Sequence, residues 1–354
     1  MKRFKNILVV LDHESGSEAL IKRAVTLGQR NQARLTVVFV IKKATMLHQA
    51  EPPVVAEQPV IDIIEEIPCD TPVPVTSKSL QDFQERIPIT IEELPQDVQE
   101  YIIQEEQHNL EQIVASIRQT GVQVSSKVLS GSPFVEIIRE VLRGEHDLVM
   151  IRAESRGGLK EALFGRTTMH LMRKCPCPVW VMNPAQPKHY SHILAAVDPT
   201  PFYEQRNALN IQILDLATSL AHRERCRLLI IHTYTSTLES HVQSGRINVP
   251  PRKLDEWCRE YRDTHRRSLE ELLRLYDLEN LEHQVYLLKG EAGRLIPALA
   301  AAKEVELIVM GTLSRSGVAG FFIGNTAEKV LRQVDCSVLT VKPDGFITPV
   351  KLDA

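Results

Sequence analysis

No apolar run in the sequence approaches the roughly 18–20 residues that a bilayer-spanning helix needs, so no membrane span is expected. The start, Met1-Lys2-Arg3-Phe4-Lys5-Asn6, is basic. Only the short run Ile7 to Leu11 follows before Asp12, which is too little for a secretory leader. Cysteine is sparse, six in 354 residues at irregular spacing, which argues against a disulfide framework and predicts a reduced, cytoplasmic protein. Neither sign of charge dominates: 42 Lys and Arg against 45 Asp and Glu give a net charge of −3, which argues against a globally basic nucleic-acid binder. The phosphate-loop pattern Gly-x-x-x-x-Gly-Lys-Ser/Thr, the dinucleotide pattern Gly-x-Gly-x-x-Gly, the Gly-x-Ser-x-Gly elbow and His-Glu-x-x-His are all missing. No catalytic acid–base pair and no metal-ligand set can be named from spacing.

What is there is an ordinary globular composition, 43% apolar and 25% charged, in a length that suits two domains. An internal repeat supports that division. Asn6-Ile7-Leu8-Val9-Val10-Leu11-Asp12 has a near copy in His192-Ile193-Leu194-Ala195-Ala196-Val197-Asp198. Ala33 to Val40 corresponds to Cys226 to Thr233. Residues 122–182 align on 281–341 without a gap, placing Gly131 on Gly290, Leu148 on Leu307, Gly165 on Gly324 and Cys177 on Cys336. A repeat of this size is a duplicated domain and not a solenoid. The boundary falls in Asn183-Pro184-Ala185-Gln186-Pro187-Lys188, giving halves 1–183 and 191–354.

Each half reads as alternating strands and helices. Short apolar runs suit strands buried on both faces, and the alternation implies a parallel sheet covered by helices. In the second half strands are expected near 192–197, 227–234, 284–288, 306–310 and 337–342, with helices near 204–222, 253–277, 292–303 and 325–333. Trp257, Tyr261, Leu269, Leu272 and Tyr276 form one stripe of the second helix and read as core. The proline-dense stretch 42–95 breaks the symmetry and predicts a functional cover or a partly disordered loop.

In an open parallel sheet ligands sit beyond the carboxyl ends of the strands. In the second half that edge carries Asp198, Thr233, Lys289-Gly290 and Gly311-Thr312. The last pair leads through Ser314 and several glycines to Gly324, Asn325 and Thr326, where a helix begins. Glycines admit close approach of phosphate oxygens, and a helix start offers free N–H groups. Asn325 followed by Glu328 equally suits a capping box, and both readings stay open. Cys175-Pro176-Cys177 reads as buried structural thiol, and His189 and His192 belong to the connection between halves.

The element order, the aspartate after the first strand and the glycine loop resemble the universal stress protein family. Its nucleotide-binding members carry Gly, two residues, Gly, nine residues, then Gly followed by Ser or Thr. Here that pattern falls on Gly311, Ser314, Gly324 and Asn325, with Thr326 next, so Ser314 and Asn325 depart from it. The closing stretch Val341 to Val350 resembles the E-type branch. The resemblance implies an α/β fold of two tandem flavodoxin-like, adenine-nucleotide-hydrolase-like domains, each a five-stranded, mostly parallel sheet with helices on both faces. It implies ATP as the ligand of the second half, with Asp198 on the nucleoside and a backbone group near Thr233 on adenine. In the first half Arg152 stands at the first glycine, Ser155 at the second and Gly165-Arg166 at the end. A guanidinium at 152 would fill the space of a triphosphate, so no ATP site is expected there. Arg152 and Arg166 read as solvated or salt-bridged surface, and Asp12 as structural, capping the next helix.

The family likeness implies a cytoplasmic, non-catalytic protein for surviving DNA damage, starvation or oxidative stress; charge, hydropathy and motifs give no reason to expect a metal, a nucleic-acid partner or a membrane partner. It also implies that Val338 to Val341 and Pro178 to Val181 pair the halves as an intramolecular pseudo-dimer, with a further homodimer. Two alternatives remain. One is slow ATP hydrolysis at the same glycine loop; the other is binding of an apolar ligand or protein partner beneath the insertion.

Overall fold

A computed structural model describes residues 4–12, 17–42, 96–153, 164–183, 189–199, 204–312 and 324–352. Most of the insertion expected at 42–95 lies outside these residues. The first half contains strands β1 (Asn6–Leu11), β2 (Arg34–Lys42), β3 (Val124–Gly131), β4 (Leu148–Arg152) and β5 (Val179–Met182). Its helices are α1 (Ser17–Asn31), α2 (Gln96–Arg118), α3 (Pro133–Gly144) and α4 (Arg166–Lys174). The second half contains β6 (His192–Ala196), β7 (Arg227–Tyr234), β8 (His283–Lys289), β9 (Leu307–Gly311) and β10 (Ser337–Val341). Its helices are α5 (Glu204–Glu224), α6 (Thr237–Gln243), α7 (Pro251–Leu273), α8 (Ala292–Ala302) and α9 (Asn325–Leu331).

The described strands form one ten-stranded sheet in the order β3-β2-β1-β4-β5-β10-β9-β6-β7-β8. Pairing is parallel within each half. The central seam is antiparallel, with Val338 opposite Val181, Leu339 opposite Trp180 and Thr340 opposite Val179. These are the two segments the sequence nominates for the pairing. Alternate residues of the strands feed a core on each face, and both cores run across the seam. Ile7, Val9, Trp180 and Leu339 lie in one, and Leu8, Val10, Val181 and Val338 in the other. The repeat-matched glycines Gly131 and Gly290 close β3 and follow β8 at φ 146° and 143°, backbone that favours glycine at both positions.

The second half departs from the sequence expectations at three places. Helix α6 is not anticipated; Ser236 starts it by accepting the Glu239 N–H at 3.1 Å. Helix α7 stops at Leu273, before Tyr276, whose hydroxyl donates to the Ile211 carbonyl at 2.9 Å and to Asp215 Oδ1 at 3.0 Å. On α7 itself Leu269 and Leu272 are buried as expected, but Trp257 and Tyr261 are only half-buried and the third buried residue is His265.

Side chains tie the halves beside the seam. The Asn183 side-chain amide donates to the Asp335 carbonyl at 2.6 Å, and Lys342 Nζ donates to the Met172 carbonyl at 2.6 Å. Arg23 of α1 and Arg223 of α5 converge on Glu224 Oε1 at 3.1 and 2.8 Å. The Arg23 guanidinium also lies over the Tyr190 ring, 4.1 Å from its centroid. Burial alone would raise the Glu224 carboxyl, yet Arg23 and Arg223 outweigh it and hold the group below its usual value. The contribution is therefore full near neutrality and is lost as pH falls through the carboxylate range. Removing the charge leaves Arg23 buried without its counterion, so Glu224→Gln is expected to lose about 3–5 kcal/mol of stability. Urea denaturation of both proteins at neutral pH measures the loss, and repeating it in acid should narrow the gap.

Candidate functional site

The sheet reverses its winding at two places, between β1 and β4 and between β6 and β9, and each places an aspartate at the carboxyl edge. In the second half β6 and β9 are hydrogen-bonded neighbours, with Ala196 in register with Met310. Asp198 and Gly311 therefore emerge side by side. The Asp198 N–H donates to Asn210 Oδ1 of α5 at 2.9 Å, which fixes the backbone, while its side chain keeps 38% of its surface exposed. Thr233 is buried near the end of β7, one residue before Tyr234, whose carbonyl accepts the Gly290 N–H at 2.9 Å. At Gly311 an added Cβ would sit 2.7 Å from Leu209 Cδ2, so a larger residue here would make that leucine side chain shift.

The helix start lacks the expected capping box, and residues 313–323 of the glycine loop lie outside the described residues. Gly324 is the residue before α9, at φ −59° and ψ 139°, backbone that any residue adopts. Its N–H donates to the Thr312 carbonyl at 2.9 Å, so this amide is turned toward the chain. Asn325 is the first helical residue and not the cap, and no side chain caps α9, which removes the capping box. Asn325 and Thr326 are exposed. Ser314 lies outside the described residues. The structure thus brings Asp198, Thr233, Gly311, Gly324, Asn325 and Thr326 to one edge of the second half.

The first half is built differently. Arg152, which the repeat places on Gly311, is 5% exposed and not on the surface. Its Nη2 and Nε approach Asp12 Oδ2 at 2.9 and 3.2 Å, a fork onto one carboxylate oxygen. Asp12 is therefore engaged by Arg152, a structural role; the helix cap expected of it falls on residues 13–16, which lie outside the described part of the chain.

Sequence reading passed over three residues around the second site. His232 of β7 places Nδ1 3.3 Å from the Val197 carbonyl and 3.9 Å from Asp198 Oδ1. Its Nε2 lies 2.9 Å from His265 Nδ1. The repeat holds the signal, since His232 falls where the first half has Phe39. Lys342, the third, bonds the Thr312 hydroxyl at the root of the loop as well as the Met172 carbonyl. The paired thiols Cys175 and Cys177 lie 3.6 Å apart and are buried, as expected of structural cysteines. Among the described residues no three His, Cys, Asp or Glu side chains group as metal ligands, and no helix is long and apolar enough to cross a membrane.

Architecture and repeat define a duplicated α/β protein whose two halves share one sheet. The family model described as the universal stress protein family matches residues 3–65, 81–183 and 189–342, and the chain belongs to that family. Universal stress protein E of Escherichia coli K12 is 31% identical over 238 residues, covering 66% of this chain and 72% of that protein. Universal stress protein E of Photorhabdus laumondii is 24% identical over 352 residues, 99% of each chain. Among solved structures, a Pseudomonas aeruginosa UCBPP-PA14 protein assigned to the same family superposes with a TM-score of 0.60 at 22% identity, covering 97% of this chain and 95% of that one. A universal stress protein of Archaeoglobus fulgidus gives 0.54 at 16% identity, over 96% and 98%. The structural likenesses support the fold. Family membership carries a stress-response role, and proteins of the family often form homodimers.

Burial lowers the Lys342 ammonium to about 7, with Cys175 opposing slightly. The unfolded chain then binds more protons than the folded one from near neutrality up to the ordinary lysine range. Relative to Lys342→Met, wild-type stability is expected to rise by roughly 1.4 kcal/mol per pH unit between about pH 7 and 10. Paired denaturation curves at pH 7 and pH 9 test the sign.

Proposed function

We propose that this protein is a cytoplasmic, non-catalytic stress-response factor, acting under DNA damage, starvation or oxidative stress, whose second half binds ATP while its first half does not. The observation that supports this is the contrast between the matched aspartates. Asp12 is ion-paired with the buried Arg152, whereas the matched position beside Asp198 is Gly311, which brings no cation; the two carboxylates are otherwise alike in exposure, 37% and 38%. Asp198 would hold ribose hydroxyls, and backbone near Thr233 would meet the base. The residues described at this edge fit the nucleoside part. The triphosphate would fall to the segment between Thr312 and Gly324, which includes Ser314. ATP supplies binding energy for the folded form and no reaction step is assigned to the chain. In this reading the halves 1–183 and 191–354 are separate units of one pseudo-dimer, able to associate further as a homodimer.

A second reading keeps the first half as a binding module for an apolar ligand. It is favoured by a groove of about 510 Å³ between α1 and α2, lined by Ile21, Val25, Ile113 and Ile117 with Lys22 at its side. Native mass spectrometry showing a lipid bound to the purified chain would support it.

Ligand binding to the folded state stabilises by about 2.7 kcal/mol at 100 times Kd. Millimolar ATP is accordingly expected to raise the melting temperature by several degrees, and Asp198→Ala to remove the rise without unfolding the protein. A melting temperature that ignores ATP would end the nucleotide reading.

A further inference from the structure

The halves surround their matched aspartates with different chemistry on the side away from solvent as well. In the first half the residue matching His232 is Phe39, in register with Leu11 just before Asp12. The buried residues of helix α2 opposite are Leu110, Val114 and Ile117, all apolar. In the second half the corresponding space holds two imidazoles, His232 and His265, 1% and 7% exposed, joined by the 2.9 Å Nε2–Nδ1 contact. Packing alone would be satisfied by the first half's solution. A buried polar pair is costly unless its hydrogen bonds are complete.

The geometry assigns the tautomers. The His232 Nδ1–H donates to the Val197 carbonyl, leaving Nε2 to accept from the His265 Nδ1–H. One further proton fits. Taken up at His265 Nε2, it lets the Nδ1 proton pass to His232 Nε2, so the positive charge arrives 3.9 Å from Asp198 Oδ1. Solvent acid supplies the proton, its conjugate base is left behind, and no electrons move. A second proton would set two N–H groups against each other across the 2.9 Å contact. Among the described residues, Tyr234 of β7 also faces the pair, stacked on His265 at 4.9 Å, as does Tyr261 of α7, edge-on at 4.7 Å. Beyond them Lys289, Glu239, Cys258 and Arg262 surround Tyr234.

We infer that His232 and His265 form a one-proton relay behind Asp198, with His232 the positioning residue for that carboxylate, and that the relay's proton tightens the site for an anionic nucleotide. This rests on the nucleotide reading of Asp198. When the pair is neutral the exposed carboxylate repels the phosphates; when it is charged His232 offsets that repulsion and orients the carboxylate toward ribose. In the first half Arg152 gives Asp12 a permanent counterion, and the relay is absent.

Two measurements on the full chain separate the relay from the ligand. Histidine-selective ¹⁵N NMR without nucleotide is expected to show both rings as Nδ1–H tautomers in mild alkali and one proton gained per pair on acidification. Two independently protonated rings would overturn the relay. ATP affinity is expected to tighten roughly tenfold from about pH 8 to 6 in wild type. In His232→Phe, which copies the first half's residue at this position, the tightening should vanish while binding persists. His265→Gln should likewise flatten the profile. Equal pH profiles in wild type and His232→Phe would overturn the coupling. Absence of ATP binding in wild type would instead remove the nucleotide reading, with the NMR result still deciding whether the relay exists.

Discussion

The seam between β5 and β10 is the constraint on which the rest of the molecule depends. Parallel strands end with side chains and backbone groups exposed at the sheet margin, and a margin left open invites pairing with other chains. Here the last strand of each half covers the other's margin through three residue pairs. That single antiparallel contact fuses two five-stranded sheets into one and lets each core continue into the next. The ties around it follow the duplication. Asn183 and Lys342 each follow a last strand, and each reaches a backbone carbonyl of the opposite half.

A covalent pseudo-dimer frees its two copies to diverge. The same switch point of the sheet carries an aspartate twice, yet the neighbouring strand ends in arginine in one half and glycine in the other. The guanidinium of Arg152 is planar, always charged and able to fork onto a carboxylate, so it serves as a built-in counterion for Asp12. Glycine at 311 brings no counterion and instead admits Leu209, whose Cδ2 would lie 2.7 Å from an added Cβ. The contrast at Phe39 and His232 extends this divergence one layer deeper, from the crevice into the core behind it.

Charge buried at the junction of the halves costs solvation, and it is met in two ways. Around Glu224 opposite charges and aromatic faces compensate one another. Around Lys342, among the described residues, carbonyl and hydroxyl acceptors hold the amine, the Phe346 ring lies beside it, and burial lowers its proton affinity. The first arrangement favours one register of the halves near neutrality, while the second makes the junction next to the loop after Thr312 sensitive to pH.

Strands, helices and the duplication were legible in the sequence because they rest on local patterns: runs of apolar residues, matched glycines and an aspartate after the first strand. Those patterns also put Asp198, Gly311 and Arg152 at or just beyond strand ends, while the seam came from the family resemblance and not from local pattern. Only the tertiary structure decided what those residues touch. Arg152 meets Asp12 across 140 positions, Lys342 meets Met172 across 170, and His232 meets His265 across 33. Such contacts follow from strand order and crossover, which no local periodicity encodes. The start of α9 shows the same limit at short range. Asn325 carries a capping signature, yet Gly324 takes the position before the helix because its amide is drawn to the carbonyl of Thr312, on the neighbouring strand's exit.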